Sequence, residues 1–256
     1  MTSYSEACCK SLSVPPALGN GYKRQGSMAD IAGMKTYITG PESAKKAILV
    51  IHDIFGFKDQ TIQGADLLSS LDTELTYRVF MPDFFNGEPA DTAWYPPDTD
   101  EKKANFFNFI QTMADPVKKS TLVPNFIKQA DQTSLKGAFE SWAIVGFCWG
   151  GRMAAILAGE GSLFKAAVSC HPGMLKNEDA ARVTIPFAIL ASKDEPAEEV
   201  ASFAAHLKVP KYIETFRTQI HGWMSARGNL GNPEVLREYE RGYRTAVKFL
   251  AEHVAA

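Results

Sequence analysis

The chain has 256 residues, a formal net charge of −2 at pH 7, and a composition of 45% hydrophobic and 22% charged residues. This composition is typical of a globular protein, and the nearly balanced charge provides no basic surface of the kind that binds nucleic acid. No stretch approaches the roughly 18 consecutive apolar residues of a membrane span. We therefore expect neither a nucleic-acid partner nor a membrane partner. The length fits one α/β domain or two smaller domains.

The first 29 residues are predicted to form a lead segment, and they lack the apolar core of a secretory signal. The chain contains four cysteines. Cys8 and Cys9 are adjacent, whereas Cys148 and Cys170 each end an apolar run far along the chain. This spacing matches neither a disulfide framework nor a zinc site. The cysteines therefore predict a reduced, cytoplasmic protein without a metal site.

Short apolar runs alternate with longer amphipathic segments from residue 34 onward. The predicted strands are 34–39, 47–52, 78–81, 143–146, 166–170, 187–191 and 212–216. The predicted helices are 59–71, 117–129, 150–158, 198–207 and a final helix from Pro233, whose apolar residues recur every three or four positions. This alternation predicts the α/β fold class, with a mostly parallel central sheet and helices on both faces. We find no linker, so residues 30–256 are predicted to be a single domain.

Residues 86–116 interrupt the alternation with an aromatic and polar segment. We predict that this segment is a loop and a helix that leave the sheet and cover a pocket at its edge. Trp94, Tyr95 and Phe106 are candidate substrate contacts in this cover. The alternative is that these aromatic side chains belong to the hydrophobic core.

The clearest motif lies where a predicted strand ends, which is where parallel α/β sheets bind their ligands. There the strand runs into Gly146-Phe147-Cys148-Trp149-Gly150 and then into a predicted helix. This is the G-x-S-x-G nucleophile elbow with cysteine in place of serine. Glycines are needed because larger side chains would collide with the neighbouring strand and helix, and the helix N-terminus favours the thiolate. The alternative is a buried structural cysteine in a turn.

A cysteine nucleophile requires a base, and the chain offers five histidines. In elbow enzymes of this type the nucleophile is followed along the chain by the acid and then by the histidine. His221 follows the last predicted strand, whereas His253 lies in the final helix, so His221 is the candidate base. Asp194 follows the strand at 187–191 and is the candidate acid. Glu195 is the alternative, because the sequence does not resolve one residue of register.

Attack on a carbonyl creates an oxyanion that N–H donors must stabilise. The backbone amides of Trp149 and Ile54 are the candidate donors, since they follow the nucleophile and the second predicted strand. Asp53 is adjacent, and its charge would disfavour a nearby thiolate, so it is a candidate for keeping Cys148 protonated until substrate binds. The alternative role of Asp53 is to cap a turn.

Several of these segments together resemble the dienelactone hydrolase family, in its fungal branch. They are 146–151 at the elbow, 52–56 after the second strand, 82–85, Asp194 and 221–223. The resemblance covers about residues 30–254. It implies a single-domain α/β-hydrolase fold and hydrolysis of lactones or activated esters, as in carboxymethylenebutenolidase.

The resemblance also implies roles for individual residues. It places the Cys-His-Asp triad on Cys148, His221 and Asp194, and the family's cysteine-modulating glutamate on Asp53, whose side chain is shorter. It implies that Arg227 binds a substrate carboxylate, while residues 86–116 contain no arginine to provide the family's second one. His171, beyond the strand at 166–170, is a further candidate contact.

These residues predict a hydrolase that cleaves a small-molecule lactone or activated ester through a thioester on Cys148 and needs no cofactor. A thioesterase or polyketide-tailoring hydrolase would use the same triad. A non-catalytic, small-molecule-binding protein with this fold is a third alternative. A monomer and a homodimer both remain open.

Overall fold

The computed structural model describes residues 22–72, 75–135 and 137–254 of the chain. Within them lies one sheet of eight strands in the order β1-β2-β4-β3-β5-β6-β7-β8. The strands β1 and β2 are antiparallel to their neighbours, and β3 to β8 are parallel. Their bounds are β1 Ser27–Ile31, β2 Met34–Thr39, β3 Lys46–Ile51, β4 Tyr77–Pro82, β5 Ser141–Phe147, β6 Phe164–Cys170, β7 Phe187–Ser192 and β8 Lys211–Phe216.

Helices cover both faces of the sheet, as the sequence predicted. The helices are α1 Asp59–Ser70, α2 Asp100–Thr112, α3 Pro116–Ser120, α4 Val123–Asp131, α5 Trp149–Leu157, α6 Asn177–Ala180, α7 Ala197–His206 and α8 Pro233–Val254, with a 3-10 turn at Thr92–Trp94. In β3, Leu49 and Ile51 belong to one core together with residues of α2, α4, α5 and α7, and Ile48 and Val50 belong to a second core with α1 and α8. Both faces of β3 are therefore buried, which explains its uninterrupted apolar sequence.

The secondary structure differs from the sequence prediction at β1, in the segment 117–129, and at α6, a helix of four residues that was not predicted. β1 was not predicted, because four of its five residues are exposed at the sheet edge and give no apolar pattern. The predicted helix 117–129 is two helices, and Pro124 lies in the first turn of α4. Proline is favoured there because its missing N–H leaves no helical hydrogen bond unmade.

The N-terminal part of the predicted lead segment, residues 1–21, lies outside the described residues, and so do Cys8 and Cys9. β1 begins at Ser27, so the sheet includes the end of the segment that we predicted as a lead. Within the described ranges, no helix combines the length and apolar character needed to cross a bilayer.

The register of the parallel strands brings the loops that carry the motifs to one edge of the sheet. Ile51 at the end of β3 pairs with Gly146 of β5, and Phe147 of β5 pairs with Cys170 of β6. The segments that begin at residues 52, 148 and 171 are therefore neighbours, because the carboxyl ends of parallel strands meet at the same edge.

Candidate active site

Cys148 lies on a sharp turn between β5 and α5. Its backbone has φ +53° and ψ −110°, a conformation that residues other than glycine rarely adopt. The Cys148 amide donates to Cys170 O at 3.0 Å, and its carbonyl oxygen accepts from the amides of Gly151 and Gly173, also at 3.0 Å. The strand, the strained turn and the helix thus lie where the elbow motif predicted them.

The glycines of the elbow are required by close backbone contacts. A Cβ atom at Gly146 would lie 2.0 Å from Gly150 O, and a Cβ atom at Gly150 would lie 2.2 Å from Ile51 O. These partners are backbone atoms of the elbow and of β3, which cannot move aside as a flexible side chain could. Any larger residue would push α5 away from the sheet.

We expect Gly150→Ala to destabilise the fold by about 3 kcal/mol or to prevent folding, because overpacking against the backbone forces α5 to shift. Gly159→Ala is the matched control, since its nearest heavy-atom contacts would be ordinary ones of 3.4 and 3.5 Å. Urea unfolding of both variants measures the difference. Equal midpoints for the two variants would contradict this account of the elbow.

His221 lies in the loop after β8, and its side chain faces a carboxylate. His221 Nδ1 is 2.6 Å from Glu195 Oε1, and both side chains are buried. Ser192 donates to the same carboxylate from its backbone amide and, over 3.1 Å, from its hydroxyl. Glu195 therefore orients the imidazole and is itself held by the end of β7.

The structure places Glu195, the alternative acid, against the His221 ring, and Asp194 against the backbone of the same residue. Asp194 Oδ2 accepts from the backbone amide of His221 at 2.8 Å, whereas Nδ1 of the His221 ring faces Glu195. Asp194 is half-buried, whereas the turn after β7 points Glu195 inward. The alternative acid, one residue further along the chain, is the one that the geometry favours.

One narrow pocket joins the residues of the predicted chemistry. Its lining includes Cys148 and His221, the predicted oxyanion residues Ile54 and Trp149, and Asp53. Trp149 is the first residue of α5, so its amide has no acceptor within the helix and is available to a ligand. The described residues contain no group of three or more His, Cys, Asp or Glu side chains placed to hold a metal ion.

The predicted substrate contacts divide into two groups. Arg227, Tyr95 and Phe106 line the pocket, whereas Trp94 and His171 do not. Trp94 instead packs against Phe109, with ring centroids 6.3 Å apart. The segment 86–116 does cover the pocket, but only part of its aromatic surface faces it.

Four further lining residues were not predicted from the sequence: Phe55, Ile110, Met174 and Gly222. Three of them lie next to predicted residues in the loops after β3, β6 and β8, so their position at the strand ends was a usable signal. Ile110 lies in α2 and has the appearance of an ordinary core residue.

Arg227 is a buried cation in the loop after β8. The residue is only 3% exposed, and none of its three guanidinium nitrogens has a hydrogen-bond partner among the described residues. Its Cζ lies 5.1 Å from the centroid of the Tyr95 ring. Burying a charge without an ionic or hydrogen-bonding partner is costly, so the arrangement fits a site that receives an anion.

The sequence profile of the dienelactone hydrolase family matches residues 34–254. The chain belongs to this family. An uncharacterized AIM2 family protein of Schizosaccharomyces pombe is 34% identical over 254 residues, which cover 96% of this chain and 98% of the relative. A carboxymethylenebutenolidase homolog of Homo sapiens is 26% identical, with coverages of 91% and 93%. A solved dienelactone hydrolase from Anabaena variabilis has a TM-score of 0.64 at 12% identity, over 90% of this chain and 98% of that one. The family and the α/β-hydrolase fold predicted from the sequence are confirmed.

Asp53 stands where the dienelactone hydrolase resemblance places the modulating glutamate, and its carboxylate makes three hydrogen bonds. It accepts from the amide of Phe55 at 2.8 Å, from Ser225 Oγ at 2.6 Å and from the amide of Ala226 at 3.1 Å. The first of these bonds is the turn cap that we considered as the alternative role. The other two tie the end of β3 to the loop that carries His221 and Arg227.

His171 lies behind the pocket and does not line it. The residue is fully buried, its ring centroid is 5.2 Å from that of His221, and its Nε2 is 3.4 Å from Ser225 Oγ. Burial lowers the pKa of His171 well below its usual range, and the nearby His221 lowers it further. His171 therefore packs against the His221 ring, and the lining of the pocket does not include it.

Proposed function

We propose that this protein hydrolyses a small-molecule lactone or activated carboxylic ester, in the manner of a carboxymethylenebutenolidase, with Cys148, His221 and Glu195 as its triad. The observation that carries the proposal is that Cys148 on a strained elbow and His221, bonded to a buried carboxylate, line the same pocket. A nucleophile and a base oriented by an acid are the elements of acyl transfer.

The proposed reaction has two steps. First, His221 takes the thiol proton of Cys148, and the sulfur attacks the carbonyl carbon while the amides of Ile54 and Trp149 stabilise the oxyanion. The intermediate then collapses to a thioester, and the alkoxide leaves with the proton from His221. In the second step His221 takes a proton from water, and the hydroxide attacks the thioester. The C–S bond then breaks, the acid product is released, and Cys148 recovers its proton from His221. Each step uses only groups of this chain and water, so the proposed reaction needs no cofactor.

Thioester chemistry limits the substrate class. A thiolate is a better leaving group than an amine, so the tetrahedral intermediate formed from an amide substrate would expel Cys148 and return to the amide. The intermediates formed from strained lactones and activated esters would instead expel the alkoxide and proceed to the thioester. The Tyr95 and Phe106 side chains provide apolar surface in the pocket, and Arg227 provides a cation. We therefore propose a small, partly apolar substrate that carries a carboxylate.

We propose further that Asp53 retains the modulating role that the family resemblance implies, since it lines the pocket beside Cys148. Its charge would disfavour the thiolate until a substrate is bound. The use of a free thiol as nucleophile also supports the cytoplasm as the proposed location, because that compartment keeps thiols reduced.

The test is to trap the thioester during turnover of p-nitrophenyl acetate by a rapid acid quench. Peptide mass spectrometry is expected to find an acetyl group on Cys148 and none on Cys170, whose burial raises the pKa of its thiol far above the usual range. Cys148→Ala is expected to lose both the adduct and the turnover. Turnover by Cys148→Ala at the wild-type rate would overturn the proposal and favour a binding protein or a different site.

A further inference from the structure

A second cavity, which we call the outer groove, lies beside the catalytic pocket. Its lining comes from the end of α2 and the start of α3, including Val117, from Arg152 of α5, and from the segment after β6 together with α6 and α7, including Lys176 and Glu198. Its volume is about 960 Å³, which is at the upper end of the range for ligand sites. No step of the proposed reaction uses this groove.

The catalytic pocket itself is too small for the proposed substrates. Its cavity volume is about 20 Å³, which is room for about one or two water molecules. An ester or lactone can therefore reach Cys148 only if part of the lining moves.

Most of the lining is held in place. Trp149 Nε1 donates to Ala114 O at 2.7 Å, Asp53 makes three hydrogen bonds, and His221 is fixed by Glu195. These contacts make the nucleophile side and the base side of the pocket rigid.

Two apolar side chains, Ile110 and Met174, line both the pocket and the outer groove. A single layer of side chains therefore separates the two cavities there. Ile110 is buried in α2, and Met174 is half-buried in the loop after β6, with a backbone φ of +60°. Methionine has three rotatable side-chain bonds and adapts readily, so this wall is the part of the lining that can move at the lowest cost.

We propose that Met174 and Ile110 form a partition that opens the catalytic pocket into the outer groove, and that the groove receives a linear substituent of the substrate. This inference rests on the proposed function. Besides the partition, the groove has apolar residues at Pro116, Val117 and Leu175, and the rest of its lining is polar or charged, including Asp115, Arg152, Lys176 and Glu198. It fits a substituent that extends from the reacting carbonyl or from its alcohol, is apolar where it passes Met174 and Ile110, and is polar at its far end.

The test compares short and long substrates in two series: p-nitrophenyl esters from acetate to octanoate, and acetate esters from methyl to octyl. Met174→Ala and Ile110→Ala are each expected to raise kcat/KM for the longest member relative to the shortest by about tenfold in one series, because they remove the partition. Val117→Trp, which narrows the groove, is expected to reverse that gain when added to Met174→Ala. Leu163→Ala is the control, since this exposed residue lines neither cavity, and it should leave the ratio unchanged.

A second measurement does not depend on hydrolysis. The rate at which N-ethylmaleimide and a long N-alkylmaleimide modify Cys148 is compared in the same variants, with Ile110→Val as a milder substitution if a variant fails to fold. A larger increase in the rate of the long maleimide than in that of N-ethylmaleimide supports the partition. If the variants leave the long-to-short ratio unchanged both for the esters and for the maleimides, the partition is overturned. If the maleimide ratio changes but no ester is hydrolysed, only the proposed function is overturned.

Discussion

Glu195→Gln is expected to lower kcat for activated esters by a factor of about 10³ to 10⁴, because a neutral amide cannot stabilise the imidazolium that forms on His221 and disturbs the tautomer of the ring. The carboxylate of Glu195 is 2.6 Å from His221 Nδ1. Asp194→Asn is the matched control and should lower kcat by no more than about tenfold, since the Asp194 carboxylate accepts from the backbone amide of His221, whereas Glu195 faces the ring. Steady-state kinetics on p-nitrophenyl acetate provide both numbers.

Each variant removes one negative charge, and the two residues are adjacent, so the long-range electrostatic effect on the active site is nearly the same. The difference in kcat between the variants therefore measures the effect of the contact with the His221 ring. Circular dichroism and the urea midpoint check that each variant is folded. A larger loss in Asp194→Asn than in Glu195→Gln would return the role of the acid to Asp194 and would mean that the turn after β7 rearranges during catalysis.

The catalytic motifs were predictable where local sequence determines the geometry. The elbow at Cys148 needs glycines at fixed spacing because backbone atoms lie within about two ångströms of the position that a Cβ atom would occupy. This requirement appears in the sequence as the spacing of Gly146 and Gly150 around Cys148. The strands of the parallel sheet were predictable because burial on both faces leaves uninterrupted apolar runs such as that of β3.

The failures arose where orientation depends on tertiary contacts. The strand end located the acid to within one residue, but only the turn after β7 determines that Glu195, and not Asp194, faces His221. His171 follows its strand as predicted, yet its side chain turns away from the pocket to pack against Phe147 and His221. Periodicity cannot distinguish a residue at the carboxyl edge of the sheet that faces the ligand from one that faces the core.

Residues of the pocket wall were harder still to predict. Ile110 is an apolar residue in an amphipathic helix, and such residues are usually core residues. That it divides two cavities follows only from the way α2 packs over the loop after β6. Arg227 was singled out by the family resemblance, but the sequence gives no indication that its guanidinium is buried with no hydrogen-bond partner among the residues that the structure describes.

Arg227→Met is expected to have opposite effects on stability and on activity. The free energy of unfolding should rise by about 1–3 kcal/mol, because a buried cation without a hydrogen-bond partner is replaced by an apolar side chain of similar length. For an ester or lactone that carries a free carboxylate, kcat/KM should fall by about 10²-fold, the cost of losing a buried, charge-assisted contact. For the uncharged p-nitrophenyl acetate, kcat/KM should change little.

Arg152→Met is the matched control for the effect of Arg227→Met on stability. Arg152 is also buried, but its Nε donates to Asp179 Oδ2 at 3.1 Å, so its replacement leaves a carboxylate without its partner and should lower stability. Urea unfolding measures the stability of the two variants, and steady-state kinetics measure kcat/KM of Arg227→Met on the charged and the uncharged ester. A loss of stability in Arg227→Met, together with equal losses on both esters, would show that Arg227 is structural, and the carboxylate would then be removed from the proposed substrate. If Arg227→Met is more stable than the wild type and loses kcat/KM only on the charged ester, the Arg227 cation lowers the stability of the fold and serves to bind an anionic substrate.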